Sequence, residues 1–292
     1  MRAVSRKLIT AAVTGLAIVA AIAISGCGAT RSVSNAIDPV ARAADVTVHA
    51  PGYHLTATIR VTSATANVNG TMSGVIDTVR RAGALTIRES LAGHTVSLAE
   101  RVAGTTVYMR APNQPALLRL TGGKPWLKMD LNRALGALGF GALPTQSSNP
   151  AQFVDYLRAV SAKTTRVGSE TIGGVQTTHY HAVTDLDKYS KLFPASRHGS
   201  GARGIANLET IMGGHTMPMD VWIDSHQLVR RVSFGFTECI QNQHLHTVMT
   251  MNMSGYGPQS VPPAPAASQA YDITPLIAKE MKNVKLTCGA QS

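Results

Sequence analysis

Three groups of residues in this 292-residue chain are of types that do chemistry: its cysteines, two closely spaced histidine pairs, and scattered serines and carboxylates. The first cysteine is Cys27. It closes Ile24-Ser25-Gly26-Cys27, at the end of the apolar run Leu8–Ile24, which follows Arg2, Arg6 and Lys7. A positive start, an apolar middle and a small-residue end are the parts of an export signal. A cysteine at that end reads as a bacterial lipobox, with cleavage before Cys27 and diacylglycerol transferred to its thiol. Acyl chains contribute about 0.8 kcal/mol per buried CH₂, and two or more give stable anchoring. An uncleaved membrane helix is the alternative, since the run is about long enough to span, but it leaves the cysteine unexplained.

Cys239 and Cys288 are the cysteines left once Cys27 is acylated. An exported chain meets an oxidising environment, which favours a disulfide between them. That bridge would close a loop of about 50 residues and contribute several kcal/mol by the chain-entropy argument. The alternative is two unpaired thiols.

His179-x-His181 and His244-x-His246 each place two imidazoles on one face of a strand, and imidazole suits zinc or copper. No carboxylate sits at a ligand-like spacing, so histidines on a polar outer face are the plainer reading and no metal is assigned. No G-x-S-x-G elbow and no Gly-rich phosphate loop occur. The chain is therefore read as a non-enzyme without a cofactor.

Cleavage before Cys27 removes three basic residues and no acidic ones, taking the formal charge from +11 to +8. A basic chain outside the cytoplasm is compatible with anionic headgroups or acidic glycolipids. Nucleic acid is excluded as a partner by the exported location and the lack of a Lys/Arg-rich run.

The elements that must carry these residues are mostly strands. Thr30–Ala44, rich in Ser, Asn and Ala, reads as a tether. From Tyr53 onward, alternating segments predict strands over Tyr53–Thr62, Val68–Thr78, Ala84–Leu91, Thr95–Val102, Thr105–Arg110 and Trp126–Asp130. Short Gly-bearing turns between them imply an antiparallel meander. Asn149-Pro150 is a helix-start signal, followed by Phe153, Leu157 and Val160 on one stripe. Thr164–Glu170 and Val175–Thr184 predict a hairpin. Asp185–Phe193 and Ile205–Met212 predict short helices about a Gly/Ser/Arg-rich loop, Ser196–Gly204, read as a lid or as an exposed connection. In Met217–Phe236, Met219, Val221 and Ile223 alternate with Asp220, Trp222 and Asp224. A polar turn at Asp224–Gln227 follows, and alternation resumes with Leu228, Arg230, Val232, Phe234 and Phe236 on one face. Val261–Ala267 is proline-rich and extended. A short C-terminal helix follows, with Thr274 as its N-cap and Pro275 at the first helical position.

The hairpin residues Val221-Trp222-Ile223-Asp224 and Leu228-Val229-Arg230-Arg231, with the strand Trp126-Leu127-Lys128-Met129-Asp130, resemble motifs of the actinobacterial LppX/LprA/LprF/LprG cell-envelope lipoproteins. These are relatives in fold of the lipoprotein carrier LolA. The resemblance implies an α+β fold: a strongly twisted antiparallel half-barrel sheet, helices packed on its concave face, and an apolar cavity between them. It implies a signal peptide over 1–26, an acylated Cys27 and tether over 27–50, and one lipid-binding domain over 51–292. The cavity would be lined by Val107, Met109, Leu127, Met129, Phe153, Leu157, Met219, Val221 and Ile223. With 11 methionines against 5 phenylalanines, adaptable thioether side chains suit acyl chains of varied shape. The same pattern also fits a filled, dry core. The expected protein is a monomer on the outer face of the cell membrane that binds and transports lipids or lipoglycans. The alternatives are a structural or partner-binding lipoprotein, or a histidine-based metal binder.

Cys27→Ala tests the anchor. The variant is expected to move from the detergent phase to the aqueous phase and to lose the mass of the acyl chains; unchanged partitioning and mass would rule the lipobox out.

Overall fold

The computed structural model describes residues 38–64, 67–91, 94–110, 115–138, 154, 157–159, 164–192, 199–212, 214–240 and 243–282. Twelve strands form one sheet. They are β1 (Gly52–Thr62), β2 (Asn67–Asp77), β3 (Ala82–Leu91), β4 (His94–Ala103), β5 (Thr106–Arg110), β6 (Trp126–Asp130), β7 (Thr165–Ile172), β8 (Val175–Asp185), β9 (Thr216–Asp224), β10 (Val229–Ile240), β11 (Gln243–Ser254) and β12 (Ala270–Asp272). Their order is β12-β6-β5-β4-β3-β2-β1-β11-β10-β9-β8-β7, so two meanders run outward from the central β1–β11 pair. All pairings are antiparallel except β12 with β6. The sheet does not close: β12 and β7 are its edges. The fold is α+β, as the sequence predicts.

One face carries the core. On β1, Tyr53, Leu55, Ala57 and Val61 are buried while His54, Thr56, Thr58, Arg60 and Thr62 are exposed, the period-2 alternation of a one-sided sheet. Register carries that face across the centre, pairing Leu55 with Met253, Ala57 with Met251 and Ile59 with Met249. The buried methionines Met72, Met109, Met129, Met217, Met219, Met249, Met251 and Met253 are eight of the chain's 11. Of the helices α1 (Pro39–Val48), α2 (Pro115–Leu120), α3 (Leu131–Ala134), α4 (Leu186–Leu192), α5 (Gly199–Met212) and α6 (Thr274–Met281), all but the mostly exposed α2 supply the covering layer. Val40, Ala43 and Ala44 of α1, Leu186 and Tyr189 of α4, and Ile205 and Leu208 of α5 join the main cluster. Ile277 of α6, with Leu131 and Ala134 of α3, packs on Val107, Met109 and Met129 in a second one.

Helix α1 corrects the tether. Asp38 accepts from the Val40 and Ala41 N–H groups at 2.8 and 3.2 Å, and Pro39 supplies a preset first turn. Val40, Ala43, Ala44 and Thr47 then make a narrow stripe of small residues facing the sheet. Helix α5 likewise corrects the loop over Ser196–Gly204: residues 199–204 are its opening turns. Residues 196–198 of that segment, and Asn149-Pro150, Phe153 and Val160, lie outside the described residues. The C-terminal helix forms as expected, but it begins at Thr274, which is therefore not its cap. The Asp272 carboxylate accepts from the Thr274 N–H at 2.9 Å, and the Thr274 hydroxyl accepts from the Asp130 N–H at 2.9 Å, tying α6 to β6.

In the β9–β10 hairpin a bulge between Val229 and Arg231 changes the facing. Val229 and Val232 are both fully buried, so Val229 joins the core face rather than the face opposite Val232. The Val229 N–H donates to Thr47 Oγ1 of α1 at 2.9 Å, and Tyr256 donates its hydroxyl to the Val229 carbonyl. Asp224 organises the turn itself. One carboxylate oxygen accepts from the His226 and Leu228 N–H groups at 2.8 and 3.0 Å, and the other holds Arg230 at 2.6 Å.

Thr47 is the side chain that docks α1 onto this turn. Thr47→Val, which keeps the shape but strands the Val229 N–H, is expected to lower the unfolding free energy by roughly 1–3 kcal/mol. Thr47→Ser should lose less than half as much, both measured by chemical denaturation.

Candidate functional site

The inner face of the sheet is where the expected lining residues meet. Val107, Met109, Met129, Leu157, Met219, Val221 and Ile223 are all buried. Leu127 stands opposite Met109 and is half-buried. Phe153 lies outside the described residues, whereas its neighbour Val154 is fully buried. These residues fall into two groups rather than one. Met219, Val221, Ile223 and Leu157 belong to the large cluster over β1, β2, β3 and β8–β11. Val107, Met109 and Met129 belong to the smaller one under α3 and α6.

Glu100 sits at the seam between them. Leu98, Glu100 and Val102 share one face of β4, by alternation. Glu100 pairs with Leu85 of β3, in the large cluster, and with Met109 of β5, in the small one. It is only 4% exposed, and its Oε2 has no hydrogen-bond partner among the described residues. Burial pushes its carboxyl from an ordinary value of 4.5 up to about 7. Glu89 of β3 faces the same way, opposite Gly70 and Val96, and burial raises its carboxyl too. Thr247 of β11 is a further buried inner-face group whose hydroxyl lacks a partner among the described residues. The arginines beside these carboxylates, Arg88 and Arg101, alternate to the outer face.

The outer face is polar and internally paired. His179 stacks on Trp222 with ring centroids 4.2 Å apart, and Arg231 lies 5.5 Å over the same indole. Trp126 is covered from the outside by Arg110 and Arg101 at 5.0 and 6.0 Å. These two tryptophans are buried by cations and rings rather than by the core.

The histidine pairs do not converge. His179 gives one ring nitrogen to Glu170 at 3.2 Å and the other to Asp220 at 2.9 Å, and His181 approaches the same Asp220 oxygen at 3.3 Å. Both His179 nitrogens are thus engaged. His246, on β11, contacts Thr237 at 3.2 Å, with β9 and β10 between its strand and β8. Among the described residues the group with metal-like spacing is instead Asp187, Glu209 and His215, whose ligand atoms lie within 4.8 Å of one another. It is a surface cluster in which His215 and Glu209 pair at 3.0 Å, and the Glu209 hydrogen bond raises the imidazole above its usual value. Cys239 lies on β10 opposite His244. Cys27 and Cys288 lie outside the described residues. No helix among the described residues is long and apolar enough to cross a membrane.

The class this geometry defines is an open, twelve-stranded α+β sheet with one helix-covered apolar face bearing two carboxyls. No protein-family model matches the chain. It is 30% identical over 185 residues to an uncharacterized 31.2 kDa protein in the rplA-rplJ intergenic region of Streptomyces griseus. That match takes in 61% of this chain and 56% of the relative, so it spans little more than half the relative's length. Among solved structures the chain is similar to the Mycobacterium tuberculosis lipoprotein LppX, with 11% identity, 76% of this chain and 94% of that one covered, and a TM-score of 0.44. It is also similar to LprF from Mycobacterium bovis, with 14% identity, coverage of 78% and 96%, and a TM-score of 0.42.

Glu100 was missed in the sequence; the signal there is a single carboxyl on an otherwise apolar strand face, and nothing in it says that the oxygen is left without a partner among the described residues. Its raised pKa makes stability pH-dependent. The neutral form is favoured in the fold, so the contribution is fully present below pH 4.5 and is lost as pH rises through about 7. At roughly 1.4 kcal/mol per pKa unit the loss is about 3 kcal/mol. Glu100→Gln should shrink the difference in unfolding free energy between pH 4.5 and pH 8 by about that amount, read by denaturant titration at the two pH values.

Proposed function

We propose that this protein is a lipid-anchored envelope protein that binds lipids or lipoglycans against the inner face of its sheet and passes them on without covalent chemistry. The single observation that carries the reading is the composition of that face: a broad apolar surface that includes eight buried methionines, on a sheet that stays open at both edges. Unbranched thioethers re-pack around guests of different shape, and burial of acyl surface at roughly 25 cal/mol per Å² supplies affinity without directional contacts. The export signal and Cys27 support an extracytoplasmic, membrane-held location, where such ligands are found. A bridge between Cys239 and Cys288 would pin the C-terminal segment to β10. Val107, Met109, Leu127, Met129, Phe153, Leu157, Met219, Val221 and Ile223 are the residues assigned to the acyl-binding surface.

The test is to purify the full chain from a host that makes native envelope lipids, extract it with organic solvent, and measure lipid and metal together. Lipid at stoichiometric amounts is expected, and Val221→Trp or Met129→Trp should each reduce it severalfold by filling the space. Absence of lipid, with no uptake of added acyl ligands, would reject the reading in favour of a filled, partner-binding module. Bound zinc without lipid would favour a metal binder.

A further inference from the structure

The mature chain is basic overall, but its inner face is not. On β3 the inward positions are Gly83, Leu85, Ile87 and Glu89; on β4 they are Val96, Leu98, Glu100 and Val102. The charges on this part of the face are therefore two carboxyls, while Arg88 and Arg101 point outward. Glu89 and Glu100 are ~13 Å apart along the strands, and the surface between them is Leu85, Ile87 and Leu98. Glu89 is half-exposed, at the end of that strip nearer the β3–β4 turn. Glu100 is buried at the other end, where the two apolar clusters abut.

A carboxyl oxygen in that position has lost its water and gained no protein partner among the described residues, a deficit of about 1–3 kcal/mol. Its strand neighbours Leu85, Leu98, Val102 and Met109 offer nothing to hydrogen-bond. The missing partner has to be a hydrogen-bonding group, and it has to arrive attached to something apolar enough to lie along this face. A phosphate or carboxylate headgroup would bring a full negative charge into these apolar surroundings, where its desolvation is costly, and would meet like charge wherever Glu100 is ionised.

We propose that Glu100 is the specificity-determining contact of the lipid site, where it accepts a hydrogen bond from a hydroxyl or ammonium group of an amphiphile whose acyl chain lies along Leu85, Ile87 and Leu98. This rests on the lipid-binding reading and adds to it the headgroup chemistry: an uncharged polyol or a cationic head rather than an anionic one. Burial that favours the neutral carboxyl up to about pH 7 suits a hydroxyl partner, while an ammonium would pull it into its ionised form.

The experiment compares ligands that share one oleoyl chain and differ at the head: monooleoylglycerol, oleylamine, methyl oleate and oleate. Each displaces a fluorescent acyl probe from the purified full chain. Monooleoylglycerol or oleylamine is expected to compete at least about tenfold better than methyl oleate or oleate, the discrimination that one hydrogen bond to a buried group supplies. Which of the two competes better identifies the head as hydroxyl or ammonium. Glu100→Leu should bring the ratio of monooleoylglycerol to methyl oleate close to one, whereas Glu100→Gln, which keeps an acceptor oxygen, should retain most of it. Equal competition by all four ligands in the unmodified chain would overturn this assignment and leave the acyl-binding reading standing. No competition by any of them would overturn both. The unmodified chain decides the question even where the leucine variant does not fold.

Discussion

An unclosed sheet with one apolar face has to have that face covered, and most of this structure follows from that requirement. Strands β1 and β11 sit at the centre, and their inward rows, Leu55, Ala57 and Ile59 against Met253, Met251 and Met249, set the width of the surface to be covered. A closed barrel would bury such rows against one another. Here the cover is assembled from helices taken from four separate places in the chain: before β1, after β6, between β8 and β9, and after β12. Each is short, and each contributes only two to four buried side chains, so no single helix seals the face. A seam between clusters is the natural consequence, and Glu100 lies on it.

Charge is handled in opposite ways at the two ends of the sheet. Near β9–β10 the fully buried Asp224 is supplied with two backbone N–H donors and the Arg230 guanidinium, which itself lies 5.0 Å over the Tyr256 ring. Arg230 thereby compensates the buried carboxylate, and the turn it fixes is the one onto which Thr47 docks α1. Burial also raises the Tyr256 hydroxyl far above its usual range, keeping it a neutral donor to Val229. At Glu100 no comparable compensation is present among the described residues. In the proposed binding mode, the headgroup of a bound amphiphile supplies the contact that Glu100 lacks among the described residues.

Much of the sheet was legible because alternation is a strong signal. Ten predicted strand segments and the turn at Asp224–Gln227 correspond to strands and a turn at nearly the expected residues. What was not legible depended on tertiary contact. The pairing of β1 with β11 joins residues nearly two hundred positions apart, and no local pattern encodes it. Strand β12 is three residues long and exists through parallel pairing with β6. Helix α1 was missed for a different reason: its face is made of Ala and Val, too weakly apolar to stand out from a spacer, although Asp38-Pro39 is the same start signal read at Asn149-Pro150. In α5 the glycines at 199, 201 and 204 argued for a loop, and packing of Ile205 and Leu208 overrode them. The lining residues were found by shared strand faces. That they divide into two clusters, with a carboxyl between, required the strand order.

The most direct measurement uses the methionine methyls as reporters of the inner face. With ¹³C-methyl methionine in the full chain, a nitroxide-labelled stearate is added and paramagnetic broadening is followed residue by residue. The account predicts saturable broadening at Met219, Met249 and Met251 on one side of the seam and at Met109 and Met129 on the other, relieved by an unlabelled acyl competitor. Sharp, unshifted resonances at all five, with the nitroxide felt only by exposed groups, would contradict it.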